Sequence, residues 1–84
     1  MYIDPELEQQ RQRNPDEIVD VILVCDKYGG ALQTKLERAG FHTTSSEQAD
    51  IGLVYGRIRL ANLSTLGRVE GVESVSPDST QYAL

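Results

Sequence analysis

Cys25 and His42 are the chain's single cysteine and single histidine, and they bound the nucleophilic chemistry open to it. A thiol nucleophile needs a base to draw off its proton. Nothing in the sequence brings His42 to Cys25. Cys25 closes a β-branched run and reads as a buried core thiol, and with no second cysteine it forms no internal disulfide. His42, beside Thr43 and Thr44, reads as an exposed strand residue with no second ligand at metal spacing. The acidic pairs Asp16-Glu17 and Glu70 with Glu73 fall in turn-like segments, where carboxylates are normally solvated. Gly29-Gly30 invites a phosphate-loop reading. The remaining glycines and the Lys-Ser/Thr of that motif are missing, so the pair reads as a strand-to-helix turn. The sequence therefore offers no catalytic residue, no metal-ligand set and no cofactor site, and it points to recognition.

The C-terminal residues carry the recognition signal. Gly71-Val72-Glu73-Ser74-Val75-Ser76-Pro77-Asp78 reads as a tight turn, a short strand and a stop. Pro77 cannot donate to a sheet ladder and turns Ser76 away from helix, so the strand is expected to end there. Ser79-Thr80-Gln81-Tyr82-Ala83-Leu84 follows, without a charged side chain and with an apolar last residue. Such a tail suits insertion into a groove with a pocket at its end.

The composition sets limits on partners. With 84 residues the chain is one domain with one modest core. Hydrophobic residues make up 39% and charged residues 25%, as in ordinary soluble domains. A net charge of −5 argues against nucleic acid, which needs basic surface, and against anionic membranes. No apolar stretch is long enough to span a bilayer, and Met1 is followed by acidic and polar residues rather than a secretory signal. The expectation is a cytoplasmic protein or an excised segment of a secreted precursor, monomeric when free.

The elements that would position the tail follow from periodicity. Residues 1–16 are expected to form a flexible arm. Asp4-Pro5-Glu6 starts a helix well, but Leu7 is the only large apolar residue after Ile3, so the helix has almost no face to bury and should fray. Asn14-Pro15-Asp16 is a turn. Residues 17–78 form the folded domain. Glu17 to Asp26 is a strand, and its near-continuous apolarity makes it central. Leu32, Leu36 and Ala39 mark a helix ending at Gly40, with Phe41 clamping it. Phe41 to Ser46 reads as an edge strand. Ile51 to Ile58 alternates, with Ile51, Leu53 and Tyr55 placed on the buried face and Gly52, Val54 and Gly56 on the other. A helix over about Leu60 to Val69 precedes the final strand, with Gly67 weakening its last turn.

The order strand, helix, strand, strand, helix, strand fits an α+β, ferredoxin-like domain: a four-stranded antiparallel sheet with two helices on one face. The crossover rule is read as making the first and third strands parallel neighbours. Val21, Leu23, Leu32, Leu36, Leu53, Tyr55, Leu63, Leu66, Val72 and Val75 are the expected core, and the uncovered sheet face, carrying Val54, is a candidate docking surface.

Together with Gly56-Arg57-Ile58, the leucine helix and the segment Gly71 to Asp78, this order resembles the subtilisin propeptide family and its stand-alone protease inhibitors. The resemblance covers roughly Glu17 to Leu84 and includes the six-residue spacing from Asp78 to the terminus. It implies a non-enzymatic inhibitor, propeptide or intramolecular chaperone of a subtilisin-like serine protease. By that resemblance the sheet face packs on two protease helices and Asp78 caps one of them. Ser76 falls where a second acidic cap stands in the family, and it brings no charge. Leu84 would enter the primary specificity pocket, with Ala83, Tyr82 and Gln81 in the preceding subsites. Gln81 departs from the apolar group preferred there. The competing reading is a ferredoxin-like regulatory or self-assembly domain that binds protein or a small ligand on the open sheet face.

Overall fold

The eight-residue run Ile18–Cys25 lies at the centre of the sheet, as its apolarity requires. The structure is a computed structural model and describes residues 2–78. Its elements are β1 (Tyr2–Ile3), α1 (Pro5–Arg13), β2 (Ile18–Cys25), α2 (Gly30–Arg38), β3 (His42–Ser45), β4 (Leu53–Arg59), α3 (Leu63–Leu66) and β5 (Val72–Pro77). Single 3-10 turns, Ala49–Ile51 and Leu60–Asn62, precede β4 and α3. The protein is α+β with a five-stranded mixed sheet in the order β1-β5-β2-β4-β3. Among the described residues no helix is long and apolar enough to cross a membrane.

The sheet differs from expectation in two respects. It has a fifth strand, β1, which pairs parallel to β5 with Tyr2 opposite Ser74 and Ile3 opposite Val75. In addition, β2 and β4 are neighbours but run antiparallel, from Ile18 opposite Arg59 to Val24 opposite Leu53. The crossover rule applies to strands joined through a helix, here β2 and β3, and β4 lies between those two.

Helix α2 ends as its sequence dictates. Gly40 takes a left-handed conformation at φ 90°, its N–H donates to the Glu37 carbonyl at 3.0 Å, and the Phe41 N–H donates to the Leu36 carbonyl at 2.9 Å. This double closure satisfies carbonyls the last turn leaves free and delivers the Phe41 ring into the core. The leucine segment is shorter than expected. Its helix covers only Leu63–Leu66 behind a 3-10 turn, and residues 67–71 turn into β5. Even so, Leu60, Leu63 and Leu66 are all buried.

Three strands contribute one face to the core: Val21, Leu23 and Cys25 from β2, Val54 and Ile58 from β4, and Val72 and Val75 from β5. The helices add Leu7, Leu32, Leu36, Leu63 and Leu66 to the same cluster. The assignment of β4 faces is therefore the reverse of the sequence expectation. Val54 is fully buried, while Leu53 and Tyr55 are only half-buried on the far side and Ile51 is 68% exposed. Gly56 explains the choice. It faces Phe41, and a Cβ there would lie 2.8 Å from the ring's Cε2 and also collide with the His42 carbonyl. The aromatic ring needs the glycine beneath it, which commits Val54 and Ile58 to the same side.

The arm is corrected as well. Helix α1 starts where expected, with the Asp4 side chain accepting a hydrogen bond from the Glu6 N–H at 2.9 Å. It does not fray over the core, because Leu7 is fully buried in the central cluster. The segment is fastened on both sides: the Asp4 N–H donates to the Val75 carbonyl at 3.0 Å, and the Pro15 carbonyl accepts from the Ala61 N–H at 2.8 Å. A single leucine suffices because the sheet edge and the 3-10 turn already hold the helix in place.

Two substitutions check this arrangement. Leu7→Ala should lower stability to urea unfolding by about 2–5 kcal/mol, the range for emptying a fully buried leucine site, where a frayed arm would show no change. Gly56→Ala should destabilise by about 1–3 kcal/mol through overpacking against Phe41, with a matching fall in thermal midpoint.

Candidate docking face

The face of the sheet opposite the helices has an apolar centre. Cross-strand register places Ile22 opposite Tyr55 and Val24 opposite Leu53 on the two central strands, and all four are half-buried. On the β5 side, Ser76 stands opposite Ile22 and Ser74 opposite Val24. Tyr2, 56% exposed, extends the row past Ser74. On the β3 side, Ser45 lies opposite Tyr55, whose hydroxyl donates to Gln48 Oε1 at 3.3 Å. Four largely apolar side chains flanked by serines and Tyr2 make a surface that loses little on desolvation.

The end of this face near Arg57 is charged. Arg57 Nε donates to Asp20 Oδ1 at 2.9 Å across the β2–β4 pair, and both side chains are well exposed. A pair so wet contributes about 0–1 kcal/mol to stability, so it serves orientation more than strength. His42 stands opposite Arg57 on β3.

Of the six protease-contact residues that the resemblance implies, two can be placed. Ser76 lies on the open face in β5. Asp78 is half-buried just past the strand, and its N–H donates to the Asp20 carbonyl at 3.0 Å. Ser76 and Asp78 thus share one border of the face. Gln81, Tyr82, Ala83 and Leu84 lie outside the described residues. Sequence reading missed Ile22, Val24, Leu53 and Tyr55 as surface residues. No signal in β4 alone could have found them, because that strand is apolar at both parities.

The chemistry elsewhere is sparse. Cys25 is buried, and burial, helped by the negative charge of Glu73, pushes its thiol up to about 11. Among the described residues no group of three His, Cys, Asp or Glu side chains is placed to hold a metal ion. No family model matches the chain, and no curated protein or solved structure matches it.

The thiol provides a pH test. Its folded-state pKa lies above the ordinary 9.0, so the folded chain holds this proton more tightly than the unfolded one. The stabilisation is complete below pH 9 and is lost as the pH rises from 9 to about 11. Cys25 should react with a disulfide reagent at pH 8 far more slowly than in urea. Cys25→Ser should flatten the decline in stability between those pH values.

Proposed function

We propose that this protein inhibits a subtilisin-like serine protease, or serves as the excised propeptide and folding chaperone of one. It would dock by the open sheet face and lay residues 79–84 in the active-site cleft as a product does. The observation that carries the reading is the open face itself, an apolar centre of Ile22, Val24, Leu53 and Tyr55 bordered by the strand from which the tail continues. The order β5-β2-β4-β3 is antiparallel throughout, with α2 and α3 as its crossovers. We read it as a ferredoxin-like core to which β1 and α1 are added.

The mechanism follows from tethering. Docking by the face would hold the tail at the cleft at high effective concentration, so that individually weak subsite contacts become useful. Leu84 would fill the primary pocket with its carboxylate beside the nucleophilic serine and no bond left to cut. Ala83, Tyr82 and Gln81 would occupy the subsites before it as an added strand. Asp78, held at the border of the face by the Asp20 carbonyl, would present its carboxylate to a protease helix N-terminus, worth about 0.3–1 kcal/mol when exposed. Ser76 would sit beside it as an uncharged contact.

The same open face favours a second reading, a regulatory or self-assembly domain that pairs face to face with another copy. Size-exclusion chromatography separates the two. A stable dimer without effect on subtilisin supports assembly, and a monomer that inhibits supports the first reading.

The decisive experiment is a titration of subtilisin activity with the full chain and three variants. Removing residues 79–84 should weaken inhibition by about two orders of magnitude or more, the scale for loss of an anchor, while leaving the thermal midpoint nearly unchanged. Leu84→Asp should act in the same direction, because an apolar pocket would have to desolvate a carboxylate. Asp78→Ala should cost less. An unchanged inhibition constant on losing the tail rejects the product-like mechanism.

A further inference from the structure

The rows of side chains that cross the open face are arranged about a line midway between β2 and β4. One row runs Ser76, Ile22, Tyr55, Ser45 from β5 to β3, with polar rims around an apolar pair. Toward the start of β2, the next row sets Asp20 opposite Arg57. It continues onto β5 at Asp78, whose N–H donates to the Asp20 carbonyl at 3.0 Å. The line therefore has carboxylates on its β5 side and a guanidinium on its β4 side. Arg57 gives its Nε to Asp20 Oδ1 at 2.9 Å, and its terminal nitrogens have no partner among the described residues.

A twofold axis along that line, parallel to the strands, would turn a second copy face down, its β2 over this β4 and its β4 over this β2. Ile22 of each copy would then meet Tyr55 of the other, and Val24 would meet Leu53. In the charged row, Asp20 of each copy would meet Arg57 of the other. An axis across the strands through the same row would instead set Asp20 on Asp20 and Arg57 on Arg57. Charge complementarity selects the first axis. The result is the aligned packing of two sheets, about 10 Å apart with strand directions within about 30° of each other.

We propose that the open face binds a second copy of this chain about that axis, with Asp20 and Arg57 of both copies closing a ring of alternating charge. The inference rests on the face-to-face reading of the open face and adds its register. Each guanidinium bridges its own carboxylate and that of the second copy, using the terminal nitrogens that Asp20 leaves over. The ring keeps every one of its charges paired as water leaves, which an apolar surface pressed on the pair would not. One row further out, Ile18, 61% exposed, covers the aliphatic stem of Arg59 of the second copy. A protease and a second copy would exclude each other from this surface.

The experiment is sedimentation equilibrium of the full chain, with Arg57→Glu and Asp20→Lys prepared separately. The Asp20–Arg57 pair is well exposed and contributes little to folding, so both variants should keep the circular dichroism spectrum of the parent. The unaltered chain should dimerise. Each variant alone brings only like charges to the axis and should dimerise about a hundredfold more weakly. An equimolar mixture of the two should recover a dimer, because the acids of one then meet the bases of the other. Arg68→Glu, a charge reversal outside the sheet, should leave dimerisation unchanged. A dimer insensitive to Arg57→Glu and Asp20→Lys, a mixture that stays monomeric, or an equal loss with Arg68→Glu overturns the inference while the face-to-face reading stands. A chain that is monomeric throughout overturns both, and leaves protease inhibition to its own titration.

Discussion

All three helices press their apolar side chains onto the same face of one sheet, and the rest of the structure depends on that one-sided layer. Leu7, Leu32, Leu36, Leu63 and Leu66 meet Val21, Leu23, Val54, Ile58 and Val75 in a single cluster. A chain of this length buries only about 60–65% of its unfolded surface, too little to cover both sides of a five-stranded sheet. One face must therefore stay open. Its residues cannot be strongly apolar without risking association, nor strongly polar without weakening the central strands. Half-buried Ile22, Val24, Leu53 and Tyr55 between serines meet both demands.

The same constraint gives the N-terminal segment its role. An outer edge of β5 left bare would expose the strand that ends at the tail. Strand β1 covers part of it, the Asp4 N–H reaches the Val75 carbonyl, and Leu7 closes the core behind. What begins as a marginal helix becomes part of the support for β5. At the opposite corner β3 starts late, and a cleft lies between the end of β4 and the turn at Gly40.

Much of the local structure was legible in the residues. The density of β-branched side chains in Ile18–Cys25 placed that strand at the centre. Asp4 and Pro5 marked a helix start, Gly40 and Phe41 a helix end, and Pro77 the end of the last strand. These signals act within a few residues: a cap oxygen reaches a nearby N–H, a glycine tolerates positive φ, and a proline lacks a donor. Ser76 and Asp78 could likewise be assigned to the end of β5 from sequence, since both sit beside that proline.

What sequence could not decide were choices between equivalent local options. Strand β4 is apolar at both parities, so period two alone cannot say whether Leu53 and Tyr55 or Val54 and Ile58 face inward. The Phe41 ring, brought in from the end of α2, settles it through the missing side chain of Gly56. Leu7 offered too little apolar surface to predict a docked helix, and its burial depends on elements more than fifty residues away, the 3-10 turn Leu60–Asn62 and β5, against which α1 packs. Sequence by itself thus determined the order of the elements from α1 onward and several of their ends, because those are short-range covalent and hydrogen-bonding constraints. Tertiary structure decided which face each element turns inward and which edge stays uncovered, because a side chain's burial is fixed only by what the rest of the chain places against it.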